Sequence, residues 1–308
     1  MSNESKHNDA GTSNNTKLDA ASVSVSASAS SSAPQMPDVA PPSFEESMAA
    51  DPGCFRTRFA CISFNESDRI RLISFSEREI AAVQEVITTR WSRGISSMRT
   101  YAGSHEFRVY GSPWDYSLNG NDDARRLVLR ILERLYDMGW VLHGAMDATT
   151  KSTSKGRPTA LLTYIQPENV TLTFPADSLV FRKQDPVPPP CDWISISFDG
   201  ASKVKIVDAP PEDLVAAIVK GFGGEIYSQE LTADRLKLKF KGMPWSPSSE
   251  ETVRSRLKLL FLLKTLEHVG FTLYATVGAR YVGDKGSADV LVCQRQKGWV
   301  PGAPIWHR

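Results

Sequence analysis

The chain repeats itself. Residues Glu106–Thr149 lie over Lys237–Arg280 at a constant offset of 131 without a gap, and about a quarter of the positions are identical. The matches fall where a fold demands particular residues. Gly111, Pro113 and Trp114 pair with Gly242, Pro244 and Trp245, so a Gly-x-Pro-Trp turn occurs twice in a chain of seven tryptophans. Arg125 pairs with Arg256 and Gly139 with Gly270, and Leu129, Leu132, Leu135 and Leu142 each meet leucine. Upstream, the same offset pairs Val83 with Leu214, Ile87 with Ile218, Trp91 with Phe222 and Ile95 with Ile226, and a three-residue gap then aligns Ser63 with Ser197. Downstream, Asp177 and the strand after it match Asp289 and its strand if the first copy carries an insertion within 150–173. A collinear series of this kind specifies two diverged domains rather than a solenoid of short repeats.

The copies span about 55–184 and 191–297, joined by the proline-rich linker 185–191, with a short tail over 298–308. Residues 1–54 are rich in Ser, Ala and Pro and hold few large apolar side chains, a composition that predicts disorder. Pro41, Pro42 and Phe44 form a Pro-Pro-x-Phe segment similar to peptides that dock in aromatic grooves, with Phe44 lacking the tyrosine hydroxyl those peptides carry.

Within a copy, apolar periodicity alternates between two and 3.6 residues. The expected order is strand, strand, helix, strand, strand, helix, strand, strand, linked mainly by hairpins, which makes an α+β fold with mostly antiparallel sheet. Ser76 and Glu79 are spaced as a capping box before the apolar stripe Val83, Ile87 and Trp91, and Ser248 and Glu251 repeat that spacing. Gly139 suits the left-handed residue closing the second helix. The corresponding helix of the second copy carries Leu257, Leu259, Leu260, Phe261, Leu262 and Leu263, apolar on nearly every side. Such a helix needs covering twice, with the other copy as first candidate and a homo-oligomeric partner as second.

Residues that carry chemistry are sparse. The two Pro-Trp turns read as structural corners, each seating a tryptophan against a core. Arg126, Arg130 and Arg134 lie four apart on one helical edge and offer a contact for an anion or a protein partner, although Glu133, Asp137 and solvent are closer partners for a solvated face. The second copy has Leu257, Phe261 and Thr265 in their places. The polar, basic stretch 148–159 reads as a surface loop. No catalytic motif, cofactor loop or metal-ligand spacing is recognisable, so the chain is expected to bind no cofactor.

Net charge is +1, which gives no global attraction to nucleic acid, and four widely spaced cysteines suit a reducing compartment. The amino terminus lacks a secretory pattern, and the most apolar stretch, 257–271, is broken by charges and too short to span a membrane. A cytoplasmic or nuclear protein is expected. The leading expectation is a non-enzymatic interaction or scaffold protein made of two duplicated α+β domains. The alternative is an enzyme or small-ligand carrier with a pocket between the copies, which would bring Arg125, His143, Asp177 and Arg256 together.

Overall fold

The computed structural model describes residues 57–113, 122–146, 178–248, 251–277 and 290–305. The first copy runs β1 (Phe59–Asn65), β2 (Arg69–Ile73), α1 (Glu77–Arg90), β3 (Ile95–Tyr101), β4 (Ser104–Val109), α2 (Asp122–Asp137), β5 (Trp140–Met146) and β6 (Ser178–Lys183). The second repeats it as β7 (Cys191–Asp199), β8 (Lys203–Val207), α3 (Glu212–Phe222), β9 (Ile226–Thr232), β10 (Arg235–Phe240), α4 (Glu251–His268), β11 (Thr272–Val277) and β12 (Val290–Gln296), with one 3-10 turn after α3. The fold is therefore α+β in two tandem copies, as the periodicity predicted.

Each copy folds its strands into one six-stranded sheet, ordered β3-β4-β2-β1-β6-β5 in the first and β9-β10-β8-β7-β12-β11 in the second. Every pairing is antiparallel. The likeness reaches the irregularities. The β5–β6 register shifts between Leu142 and Gly144 and the β11–β12 register between Leu273 and Ala275, so His143 and Tyr274 are the same extra residue. The shift between Ile95 and Ser97 recurs between Lys239 and Phe240, which skips Tyr227 opposite them. Bulges are built features, and two shared bulges reflect one ancestral backbone.

Local chemistry accounts for the helix ends. The Ser76 amide donates to the Glu79 carboxylate at 2.8 Å, closing the start of α1, while Val83 and Ile87 are fully buried. For α4, the Glu251 amide donates to the Ser248 carbonyl at 3.0 Å. Gly139 and Gly270, at φ +84° and +83°, end α2 and α4 in the left-handed region. A Cβ on Gly270 would sit 2.4 Å from the Trp299 ring.

The layers stack as sheet, helices, sheet, helices. Strand β7 shows how, because Ile194 and Ile196 belong to a core shared with α3 and α4, while Cys191 and Trp193 belong to the core of the first copy. Sheet two is thus covered on both faces, and α2 lies between the sheets. This corrects one expectation. The helix covered on two faces is α2, with Leu127, Leu129, Ile131, Leu132 and Leu135 fully buried, whereas α4 buries Leu262, Thr265 and Leu266 and is not enclosed by the other copy. No helix among the described residues is long and apolar enough to cross a membrane.

Candidate functional site

Among the described residues the seam between the copies is a packed aromatic contact. Tyr136 of α2 stands edge-on to Trp193 at 5.3 Å and to Tyr274 at 5.7 Å, and these two rings meet at 4.7 Å. All three are at least nine-tenths buried. Ser195 and Ser197, the small residues alternating with Ile194 and Ile196, are buried beneath α2 as well, leaving room for the helix to approach the strand. The Leu142 amide donates to the Tyr274 hydroxyl at 2.9 Å, which ties β5 to the second copy.

Charge organises the seam's edge. Arg125 donates to Asp199 at 2.6 Å and to Asp122 at 3.2 Å. Lys205 reaches Asp199 at 2.9 Å and Asp122 at 3.4 Å, and Arg235 reaches Asp122 at 3.3 Å. Burial would raise the Asp199 carboxyl, but Arg125 and Lys205 outweigh it and hold the group below the ordinary aspartate range. At Asp208 the balance reverses, because burial outweighs Arg130 and the pKa is raised.

The arginine ladder lies along this seam. Arg126 bonds Asp123 of its own helix and Asp234 of the second copy, and Arg130 pairs with Glu133 and with Asp208 of the second copy. Arg134 pairs with Glu85 of α1 at 3.1 Å. The acidic partner for the first two rungs is the other half of the same chain. Sequence reasoning missed those acids, although the internal alignment held the signal: Asp199, Asp208 and Asp234 stand where the first copy has Asn65, Ser74 and Gly103.

Of the residues named for a pocket between the copies, the three that the structure describes do not converge. Arg125 is bound in the seam, Arg256 is exposed on α4, and His143 is exposed beside Phe59 at 5.5 Å. Asp177 lies outside the described residues, as do Trp114, Asp289, the insertion, residues 1–54 and the Pro41, Pro42 and Phe44 segment. Of the Gly-x-Pro-Trp turns, Gly111 and Gly242 adopt φ +83° and +69°, and Pro113 and Pro244 are buried. Trp245 packs against Phe198 at 4.8 Å and Phe240 at 5.4 Å, with its indole N–H unbonded among the described residues. Among the described residues no cluster of His, Cys, Asp and Glu is able to hold a metal ion. A groove of ≈ 830 Å³ beside α1 is lined by charges that answer each other, Lys183 with Glu79 and Arg134 with Glu85.

The unsatisfied surface is the outer face of α4. Val253, Leu257, Leu260 and Phe261 are 60%, 58%, 53% and 40% exposed. Beside them a groove of ≈ 630 Å³ runs between α3 and α4, floored by Phe222 and rimmed by Arg254, Lys258 and Glu225. Exposed large apolar residues grouped on one face mark interaction sites. The second open surface is the outer face of sheet one, where Glu106 is buried among Arg69, Arg71 and Arg99 at 3.2, 2.7 and 2.7 Å. Arg71 and Arg99 also lie over the Tyr101 ring, and Phe59 and Ile73 are 48% and 39% exposed at the other end of that face.

One domain model matches the sequence twice, over residues 58–174 and 192–294, more than two thirds of the chain. The chain belongs to that domain family. The two matches fall on the two copies, the first ending before β6. The crystal structure of a conserved kinetoplastid-specific protein from Trypanosoma cruzi is similar over 34% of this chain and 94% of that one, at 14% identity and a TM-score of 0.26. None of the curated proteins matches.

Proposed function

We propose that the protein is a non-enzymatic interaction scaffold whose docking surface is the outer face of α4. One observation carries the reading: α2 and α4 are duplicate helices, yet the face that α2 buries against a sheet stands open on α4, with Leu257 and Leu260 more than half exposed. A helix face with this much apolar surface gains most by association. The packed, aromatic seam favours a fixed platform over a ligand pocket between the copies. Cys61 and Cys293 form no disulfide among the described residues, which suits work in the cytoplasm or nucleus.

A photo-crosslinking residue in place of Leu260, compared in cells with the same residue in place of the exposed Thr89 on α1, tests the assignment. Strong, discrete protein crosslinks at Leu260 and weak ones at Thr89 are expected. Equal, diffuse labelling at both positions rejects it.

A further inference from the structure

Resting on that reading of α4, the two open surfaces can be compared with the seam, because each is the duplicate of one side of it. The strand registers make the correspondence residue by residue. Cys61 pairs with Ile73 and Val180 as Ser195 pairs with Val207 and Val292. Phe59, Ile73 and His143 on the open face therefore occupy the positions of Trp193, Val207 and Tyr274, which are buried at the seam.

We infer that a second copy of this chain occupies the face, with α4 of one molecule seated on the outer face of sheet one of the next, so that chains stack head to tail. The argument is a set of paired replacements. Where the seam sets Arg126 against Asp234, the open ends set Leu257 against Gly103. Where the seam sets Arg130 against Asp208, they set Phe261 against Ser74. In both cases the two charges are gone together, whereas Arg256, the duplicate of Arg125, keeps its charge and would face Asn65 where the seam has Asp199.

A third replacement moves a carboxylate from one side to the other. At the seam Asp122 of the helix neutralises Lys205 of the sheet. On the open ends the helix position is Val253, and the sheet position equivalent to Lys237 is Glu106, which neutralises Arg71 within its own sheet. The outer face of sheet one thus supplies its own counter-charge and is suited to the apolar stretch Val253, Leu257, Leu260 and Phe261 of α4, with Glu267, the duplicate of Tyr136, standing by Phe59 and His143. A contact between two different surfaces does not close on itself as a two-fold dimer does, and it propagates unless its rotation makes a ring.

Sedimentation velocity of the full chain over a wide concentration range tests this, with Leu260→Glu blocking one end and Phe59→Arg the other. Both positions are exposed, and thermal melts of each variant should match the parent. The parent is expected to grow beyond a dimer. Each variant alone should associate at least tenfold more weakly. An equimolar mixture should give a 1:1 dimer and nothing larger, since one intact helix meets one intact sheet. Residual basic charge on both ends, from the exposed Arg182 and Arg256 among others, makes association strengthen with added salt.

A parent that stays monomeric throughout overturns head-to-tail stacking, and discrete crosslinks to other proteins at Leu260 would then preserve α4 as a docking surface. A Phe59→Arg variant that associates like the parent also overturns it, because that result means α4 pairs with α4. So does a steep loss of association with salt.

Discussion

Leu129 and Leu260 are the same residue in the two copies, and one is fully buried while the other is 53% exposed. Identical side chains on duplicated helices therefore carry different free energies. Leu129→Ala removes a core side chain between two sheets and should destabilise by about 2–5 kcal/mol. Leu260→Ala should shift stability by less than about 0.5 kcal/mol in the monomer. Urea denaturation of the two variants checks the contrast.

Arg125 and Asp199 join the copies through a part-buried, charge-assisted pair. Either Arg125→Ala or Asp199→Ala should cost about 1.5–3 kcal/mol. A double-mutant cycle should return a coupling of at least about 1 kcal/mol, because the partners share one network with Asp122 and Lys205. The neighbouring Arg126–Asp234 pair, whose aspartate is exposed, should couple more weakly.

Asp199 also gives the seam a pH dependence. Its folded pKa lies below the ordinary value, so its stabilising contribution is present above about pH 4 and is lost as pH falls through the depressed folded value. The stability gap between the parent and Asp199→Asn should be constant near neutrality and shrink under acid. Asp208, with a raised pKa, has the opposite sign: its protonated form favours the fold, and its contribution declines as pH rises through the raised value. Denaturant titrations across the acidic range on both asparagine variants separate the two slopes.

Gly270 and Gly242 both lie in the left-handed region, yet their surroundings differ. Alanine at Gly242 meets open space, so the conformational strain alone should cost about 1–2 kcal/mol. Alanine at Gly270 must also displace the Trp299 ring. Gly270→Ala should therefore be the more destabilising by calorimetry, with altered tryptophan fluorescence as the local signature.

The order of strands and helices was legible because local signals agreed: alternation at Ile62 and Phe64, the capping spacing at Ser76 and Glu79, and the helix-ending glycines. Tertiary covering was less legible. The run Ser195-Ile196-Ser197 alternates as a strand with one face in water would, yet both serines are buried, because the residues that cover them come from α2, some 60 positions earlier. The arginines of α2 likewise read as a solvated edge. Their counterions, Asp208 and Asp234, are supplied by loops beside strands of the other copy, and no periodicity within the helix reveals them. The abundance of leucine in α4 pointed to the wrong helix for double burial, since apolar content measures what a face gains by burial and does not say which neighbour arrives.

The asymmetry of the seam gives the tandem a reading order. The arginines at positions 126 and 130 are written only on the helix of the leading domain, and the matching acids Asp234 and Asp208 only on the sheet of the trailing one. Joining two copies of the trailing domain would set Leu257 and Phe261 against Asp234 and Asp208 and strand both carboxylates. The duplicated halves are consequently no longer spare parts for each other.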